Sequence, residues 1–139
     1  SETDTEVLVN FIQYFMDLDG TICPIKKSNE RYEDLKPYDN IVKKLKEYKK
    51  DGFKILIFTA RQMRTHGGNL GLINVHTSRM TMNWLDKWDI PYDEIIFGKP
   101  WPGKGGFYID DRAIRPDEFL KYNEEELNKM LDSARERID

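Results

Sequence analysis

Phe15-Met16-Asp17-Leu18-Asp19-Gly20-Thr21 is the run whose reading decides the fold. An apolar segment from Phe11 to Met16 delivers two aspartates spaced i, i+2, and a Gly-Thr turn follows. Residues i and i+2 within a strand share a face. Here the strand is ending, so the two carboxylates need not point the same way. Asp17 falls where a strand's carboxyl end opens into a crevice, the usual ligand position of an open α/β sheet. Gly20 permits the sharp departure that leaves Asp19 free to lean back over that crevice. One carboxylate placed to attack, with a neighbour placed to move protons, is the chemistry this pair suggests. The bland alternative is an ordinary Asp-Gly turn after an edge strand.

Three later segments repeat the pattern of an apolar strand ending in polar residues. Phe53-Lys54-Ile55-Leu56-Ile57-Phe58 is nearly continuous apolar, the mark of a strand buried on both faces of a parallel sheet, and it ends in Thr59-Ala60-Arg61. Tyr92 to Phe97 leads into a short strand followed by Gly98-Lys99-Pro100. Gly106-Phe107-Tyr108-Ile109 reads as another strand, finishing in Asp110-Asp111-Arg112. An adjacent Asp pair costs repulsion, so a cation or Arg112 should accompany it.

Helices fill the intervals. After Pro37, the residues Ile41, Val42, Leu45 and Tyr48 fall at helical spacing, and Asp51-Gly52 stops that helix. Thr77 is the expected cap of a second helix with Met80, Trp84, Leu85 and Trp88 on one face, the tryptophans reading as core. An Asn123-x-x-Glu126 capping box opens the last helix, whose apolar face is Leu127, Met130, Leu131, Ala134 and Ile138. The alternation predicts an α/β fold: a three-layer, Rossmann-like parallel sheet with helices on both faces and right-handed crossovers. Residues 62–75, with Gly67, Gly68 and Gly71 and no period, read as a functional loop. His66 and His76 on or beside it lack a third ligand and make a weak metal signal.

With 139 residues the chain suits one domain, taken as 7–139 with a disordered terminus over 1–6. It carries 22 Lys and Arg against 25 Asp and Glu, a net charge of −3, so it lacks the basic excess of an extended nucleic-acid footprint. Nucleic acid is therefore disfavoured as a partner, although a short oligonucleotide end remains compatible. Cys23 is the single cysteine, which excludes an intrachain disulfide and makes a reducing cytoplasm the default. It reads as a bystander in a loop. Val7 to Leu18 is broken by Asn10 and Gln13, is too short to span a bilayer and has no basic region before it. No membrane association is expected, and a buried first strand from about Leu8 to Asp17 is.

Residues 17–21 resemble the Asp-x-Asp-Gly-Thr signature of the haloacid dehalogenase (HAD) superfamily of phosphohydrolases. Thr59, Lys99 and Asp110-Asp111 stand in the order of that family's other motifs. The resemblance implies an aspartyl-phosphate phosphatase in which Asp17 attacks phosphorus and Asp19 moves the protons, while Thr59 and Lys99 stabilise charge. It also implies Mg²⁺ held by Asp17, the backbone carbonyl of Asp19 and Asp110, with Asp111 binding directly or through water. Most members place a helix between the lysine and the next strand. Here there is only Trp101-Pro102-Gly103-Lys104-Gly105, which leaves Lys104 as a rival to Lys99. Lys99 is favoured because it directly follows a strand.

The chain has no room for a cap domain, so the site is expected to lie open or to be covered by a second copy in a homo-oligomer. Residues 59–65, 98–101 and 107–116 resemble bacterial capsule- and lipopolysaccharide-biosynthesis HAD phosphatases. That makes a phosphorylated sugar or polysaccharide precursor the first substrate class, with Ala60, Arg61, Arg64 and His66 as substrate-binding candidates. Ile109-Asp110-Asp111-Arg112 also resembles the phosphatase domain of polynucleotide kinase–phosphatases, so a nucleic-acid 3′-phosphate is the second reading. A HAD scaffold kept for binding or regulation is the third; the filled catalytic positions speak against it.

Overall fold

A computed structural model describes residues 12–138 of the chain. They fall into two compact units that divide after Trp101. In the first unit, β1 (Gln13–Met16), β2 (Lys54–Thr59) and β3 (Glu94–Phe97) form a parallel sheet in the order β1-β2-β3. The α/β class and the parallel sheet are as the alternation of apolar segments predicts. Met16 pairs with Ile57, and Thr59 with Phe97. All three strands therefore discharge their next residues, Asp17, Ala60 and Gly98, at one edge of the sheet.

The central strand has the composition its place demands. Ile55, Leu56 and Ile57 are buried in succession, on both faces. The flanking strands alternate instead: Met16 is buried, whereas Phe15 is 57% exposed and Ile96 40%. Residues 8–11 of the expected first strand, and the terminus before them, lie outside the described residues.

Helix α1 (Asp39–Lys50) buries Ile41, Val42, Leu45 and Tyr48, the four residues its periodicity selects. Burial of each is worth about 1.5–3 kcal/mol. The Tyr48 ring meets Tyr14 of β1 at 4.8 Å and Phe53, just before β2, at 5.0 Å, so helix and sheet share one aromatic cluster. Gly52, at φ +95°, turns the chain from α1 into β2.

The second crossover differs from the expected one. Its helix starts at Leu70, not at Thr77, because the Asn69 side chain accepts from Leu72 N at 3.1 Å and supplies the cap. Helix α2 (Leu70–Ile73) continues through a π-helical turn (Asn74–Ser78) into α3 (Arg79–Lys87). Thr77 is buried inside that path and its hydroxyl donates to Gln62 Oε1. Trp84 is core, as expected, with Nε1 donating to the Leu35 carbonyl at 2.7 Å.

In the second unit the Asn123 capping box forms in both directions: Glu126 N donates to Asn123 Oδ1 at 2.9 Å, and Asn123 N to Glu126 Oε1 at 3.1 Å. It opens α5 (Glu124–Glu136), and a short α4 (Pro116–Lys121) precedes it. Residues 106–109 do not form the expected fourth strand; Phe107 and Ile109 are exposed. Apolar composition supplies propensity, but a strand exists only where a neighbour takes its backbone hydrogen bonds. Among the described residues no helix is long and apolar enough to cross a membrane.

Candidate active site

The turn after β1 is built around Leu18. Its side chain is fully buried, and its carbonyl accepts from Thr21 N, Ile22 N and Cys23 N at 3.1, 2.9 and 3.3 Å. Gly20, at φ +88°, lets the chain double back so that Gly20 N reaches the Cys23 carbonyl at 2.7 Å. With Leu18 driven into the core, the two aspartates on either side are left at the rim of the sheet's carboxyl edge.

Asp17 is partly exposed. The Thr21 hydroxyl donates to its Oδ2 at 3.3 Å, and Lys99 Nζ stands 3.6 Å from its Oδ1. Lys99 reaches this position because its backbone N donates to the Thr59 carbonyl at 3.1 Å, tying the exit of β3 to that of β2. Thr59 is buried, and its Oγ1 accepts from Arg61 N at 3.0 Å, which leaves the hydroxyl proton for another acceptor. The sheet edge thus gathers Asp17, Asp19, Thr59 and Lys99 within one unit. Lys104 is exposed and belongs to the other.

Of the four substrate-binding candidates, Ala60 is partly exposed between Thr59 and Arg61. Arg61 is not at the surface: its side chain is 0% exposed. Nη2 donates to Asp19 Oδ1 at 2.7 Å and Nε to Oδ2 at 3.0 Å. Asp19 thus occupies both tines of the fork. Arg64 is exposed, with its guanidinium 5.5 Å from the Trp101 ring centre. His66 stacks on His76 at 5.5 Å between ring centres, and its Nε2 is buried with no hydrogen-bond partner among the described residues.

Cys23 closes the turn. Its thiol donates to Asp19 Oδ1 at 3.6 Å, and burial first, then the Asp19 charge, pushes its pKa up to about 12. At neutral pH it is a protonated, buried thiol and no nucleophile. Burial likewise raises the Tyr32 phenol, with the Asp19 charge adding to it.

In the second unit, Asp110 Oδ1 accepts from Arg112 N at 2.7 Å. Asp111 Oδ2 is paired with Arg135, at 2.5 Å from Nη2 and 2.8 Å from Nε, and that hydrogen bonding holds its carboxyl below the usual range. The companion cation is thus Arg135 and not Arg112, whose guanidinium turns to Asn128 Oδ1 at 3.2 Å. No spacing in the sequence links Arg135 to Asp111, which is why the pairing was not foreseen. Among the described residues, no group of three or more His, Cys, Asp or Glu side chains is assembled to hold a metal ion. The donors Asp17 offers are hard carboxylate oxygens that remain partly open to water, which suits a Mg²⁺ ligand that keeps several waters.

Fold and site together define a parallel α/β protein with a carboxylate, a second aspartate and a lysine at the sheet's carboxyl edge. By sequence and fold the chain belongs to the same family as a Vibrio cholerae protein of known crystal structure, which is 46% identical, with a TM-score of 0.84 over 89% of this chain and 99% of that one. A second solved structure, D,D-heptose 1,7-bisphosphate phosphatase from B. bronchiseptica complexed with magnesium and phosphate, is 13% identical. Its TM-score is 0.45 over 68% of this chain and 54% of that one, too slight a likeness to assign a function. The chain matches no protein-family model and no curated protein.

Proposed function

We propose that the protein is a phosphatase that hydrolyses a phosphate monoester through an aspartyl phosphate on Asp17. The observation that carries this reading is the setting of the Asp17 carboxylate. It is open to solvent, steadied by the Thr21 hydroxyl at 3.3 Å and flanked by Lys99 Nζ at 3.6 Å, with a second aspartate two residues on. A partly exposed carboxylate beside an ammonium is well suited to attack a group whose negative charge the ammonium can share.

In this mechanism an Asp17 oxygen bonds to phosphorus as the ester oxygen leaves, and Asp19 gives that oxygen a proton. Asp19 then takes a proton from water, whose oxygen attacks phosphorus and frees Asp17 and inorganic phosphate. Lys99 neutralises phosphoryl oxygens in both steps, and the free Thr59 hydroxyl proton serves as a neutral donor to them. The oxygen donors of the first unit that we assign to Mg²⁺ are Asp17 and the Asp19 carbonyl; when bound, the ion would add charge neutralisation on the phosphoryl group.

A phosphorylated sugar or polysaccharide precursor is the proposed substrate class. The near-balanced charge of the chain supports a small substrate over a polynucleotide end. A panel of sugar phosphates beside a 3′-phosphorylated oligonucleotide, with Mg²⁺ at low and moderate salt, tests both points. Better turnover of the oligonucleotide, falling steeply with salt, would replace the small substrate with a nucleic-acid end. No turnover of any member in wild-type protein would remove the phosphatase reading altogether.

A further inference from the structure

We propose that Arg61 is a positioning residue: it acts through Asp19, fixing the carboxylate in one orientation, and makes no contact with substrate. This rests on the reading of Asp19 as the group that moves protons.

Four residues converge on the Arg61 guanidinium. The Asp19 carboxylate from the turn after β1 takes Nε and Nη2 in a two-point fork at 3.0 and 2.7 Å. Thr81 Oγ1, fully buried on α3, accepts from Nη1 at 3.3 Å. Cys23 Sγ lies 3.8 Å from Nη2. The Tyr32 ring, from the loop before α1, covers the guanidinium carbon at 4.4 Å. Nothing is left of this side chain for a substrate to meet, since its exposure is nil.

The geometry has a purpose a surface ion pair would not have. A planar fork with both tines engaged allows one carboxylate orientation, whereas a single donor allows many. The Asp19 side chain keeps 22% of its surface. The carboxylate is therefore gripped from the protein side while it still reaches solvent on the other. A proton-moving group gains rate when its distance to the reacting oxygen is fixed in advance. Arg61 can supply that because Thr81, Cys23 and Tyr32 hold the guanidinium itself still.

The sequence pattern around Arg61 suggested the opposite role, and kinetics separate the two. Steady-state kinetics of wild type, Arg61→Met, Thr81→Val, Asp19→Asn and Asp19→Asn/Arg61→Met would be measured on an aryl and an alkyl phosphate. A positioning role predicts that Arg61→Met lowers kcat on the alkyl phosphate by about 100-fold, the lower range of general acid–base catalysis, with KM unchanged. Thr81→Val, which leaves the ion pair in place, should lower the same kcat less and also spare KM. Adding Arg61→Met to Asp19→Asn should cost no more than about twofold further, because the residue through which it acts is already gone. The double variant also removes both charges together, so no unpaired charge remains to unfold it.

A raised KM with kcat intact in Arg61→Met would overturn the proposal, as would a full multiplicative loss on top of Asp19→Asn. An Asp19→Asn protein as active as wild type on the alkyl phosphate would instead sink the proton-moving role of Asp19, and the positioning role would go with it.

Discussion

Replacing Asp19 with alanine strands the fully buried charge of Arg61. Arg61 would lose two hydrogen bonds, at 2.7 and 3.0 Å, and its only ion pair among the described residues. Its Thr81 bond at 3.3 Å and the Tyr32 ring at 4.4 Å would remain. Removing one partner of a buried pair costs about 3–5 kcal/mol, mostly for the uncompensated charge left behind. Asp19 keeps 22% of its side-chain surface, and the ring can return about 1–2 kcal/mol to a desolvated cation, so the lower end applies. A loss of about 3 kcal/mol at this chain length lowers the melting temperature by about 10 °C. Calorimetry or a circular-dichroism melt reads it directly. Asp19→Leu/Arg61→Met, which removes both charges, should recover most of the loss. An Asp19→Ala protein that melts with wild type would show that the pair stabilises nothing, and the burial argument for Arg61 would be wrong.

Three other outcomes follow from the same geometry. Lys99→Ala should lower turnover about 10²- to 10³-fold, as loss of one charge-stabilising donor does, whereas Lys104→Ala should leave kcat near wild type; the reverse ranking in steady-state kinetics would move the lysine role into the glycine-rich loop. Cys23, whose folded pKa of about 12 lies above its ordinary 9.0, contributes stability that is complete below the ordinary value and lost as pH climbs towards the raised one. Urea titrations across that alkaline window should therefore show a shallower decline in Cys23→Ala than in wild type, and identical slopes would refute the linkage. Gly98 sits at φ +89°, and an added Cβ would lie 2.5 Å from Leu70 Cδ2. Gly98→Ala should cost about 1–2 kcal/mol of backbone strain that persists in a Leu70→Ala background; a cost that vanishes there would mean that the clash and not the backbone is responsible.

The parts of the fold that local chemistry dictates were legible. The buried run Ile55-Leu56-Ile57, the helical spacing of Ile41, Val42, Leu45 and Tyr48, and the Asn123 capping box each specify their element within a few residues, and each is found. So was the meeting of the ends of β1, β2 and β3 at one edge of the sheet, because strand ends can be read from where apolar runs stop. What was missed depends on contacts distant in sequence. Asn69 outcompetes Thr77 as the helix cap because Thr77 is committed to Gln62, across a loop with no periodic signal. The direction of the Arg61 side chain is set by Asp19, Thr81 and Tyr32, none of them its neighbour in the chain. The run 106–109 has strand composition, but composition does not say whether a partner takes its backbone hydrogen bonds.

The central claim is that Asp17 becomes covalently phosphorylated, and intact-mass spectrometry of rapidly quenched enzyme tests it most directly. Wild-type or Asp19→Asn protein mixed with an aryl phosphate and Mg²⁺ should gain the mass of one phosphoryl group. Asp19→Asn should accumulate more of it, because release by water is slowed, and peptide mapping should place the group on Asp17. Asp17→Asn should show neither the adduct nor turnover. Turnover in the wild type with no adduct in either protein, or an Asp17→Asn variant that hydrolyses substrate at the wild-type rate, would contradict the account.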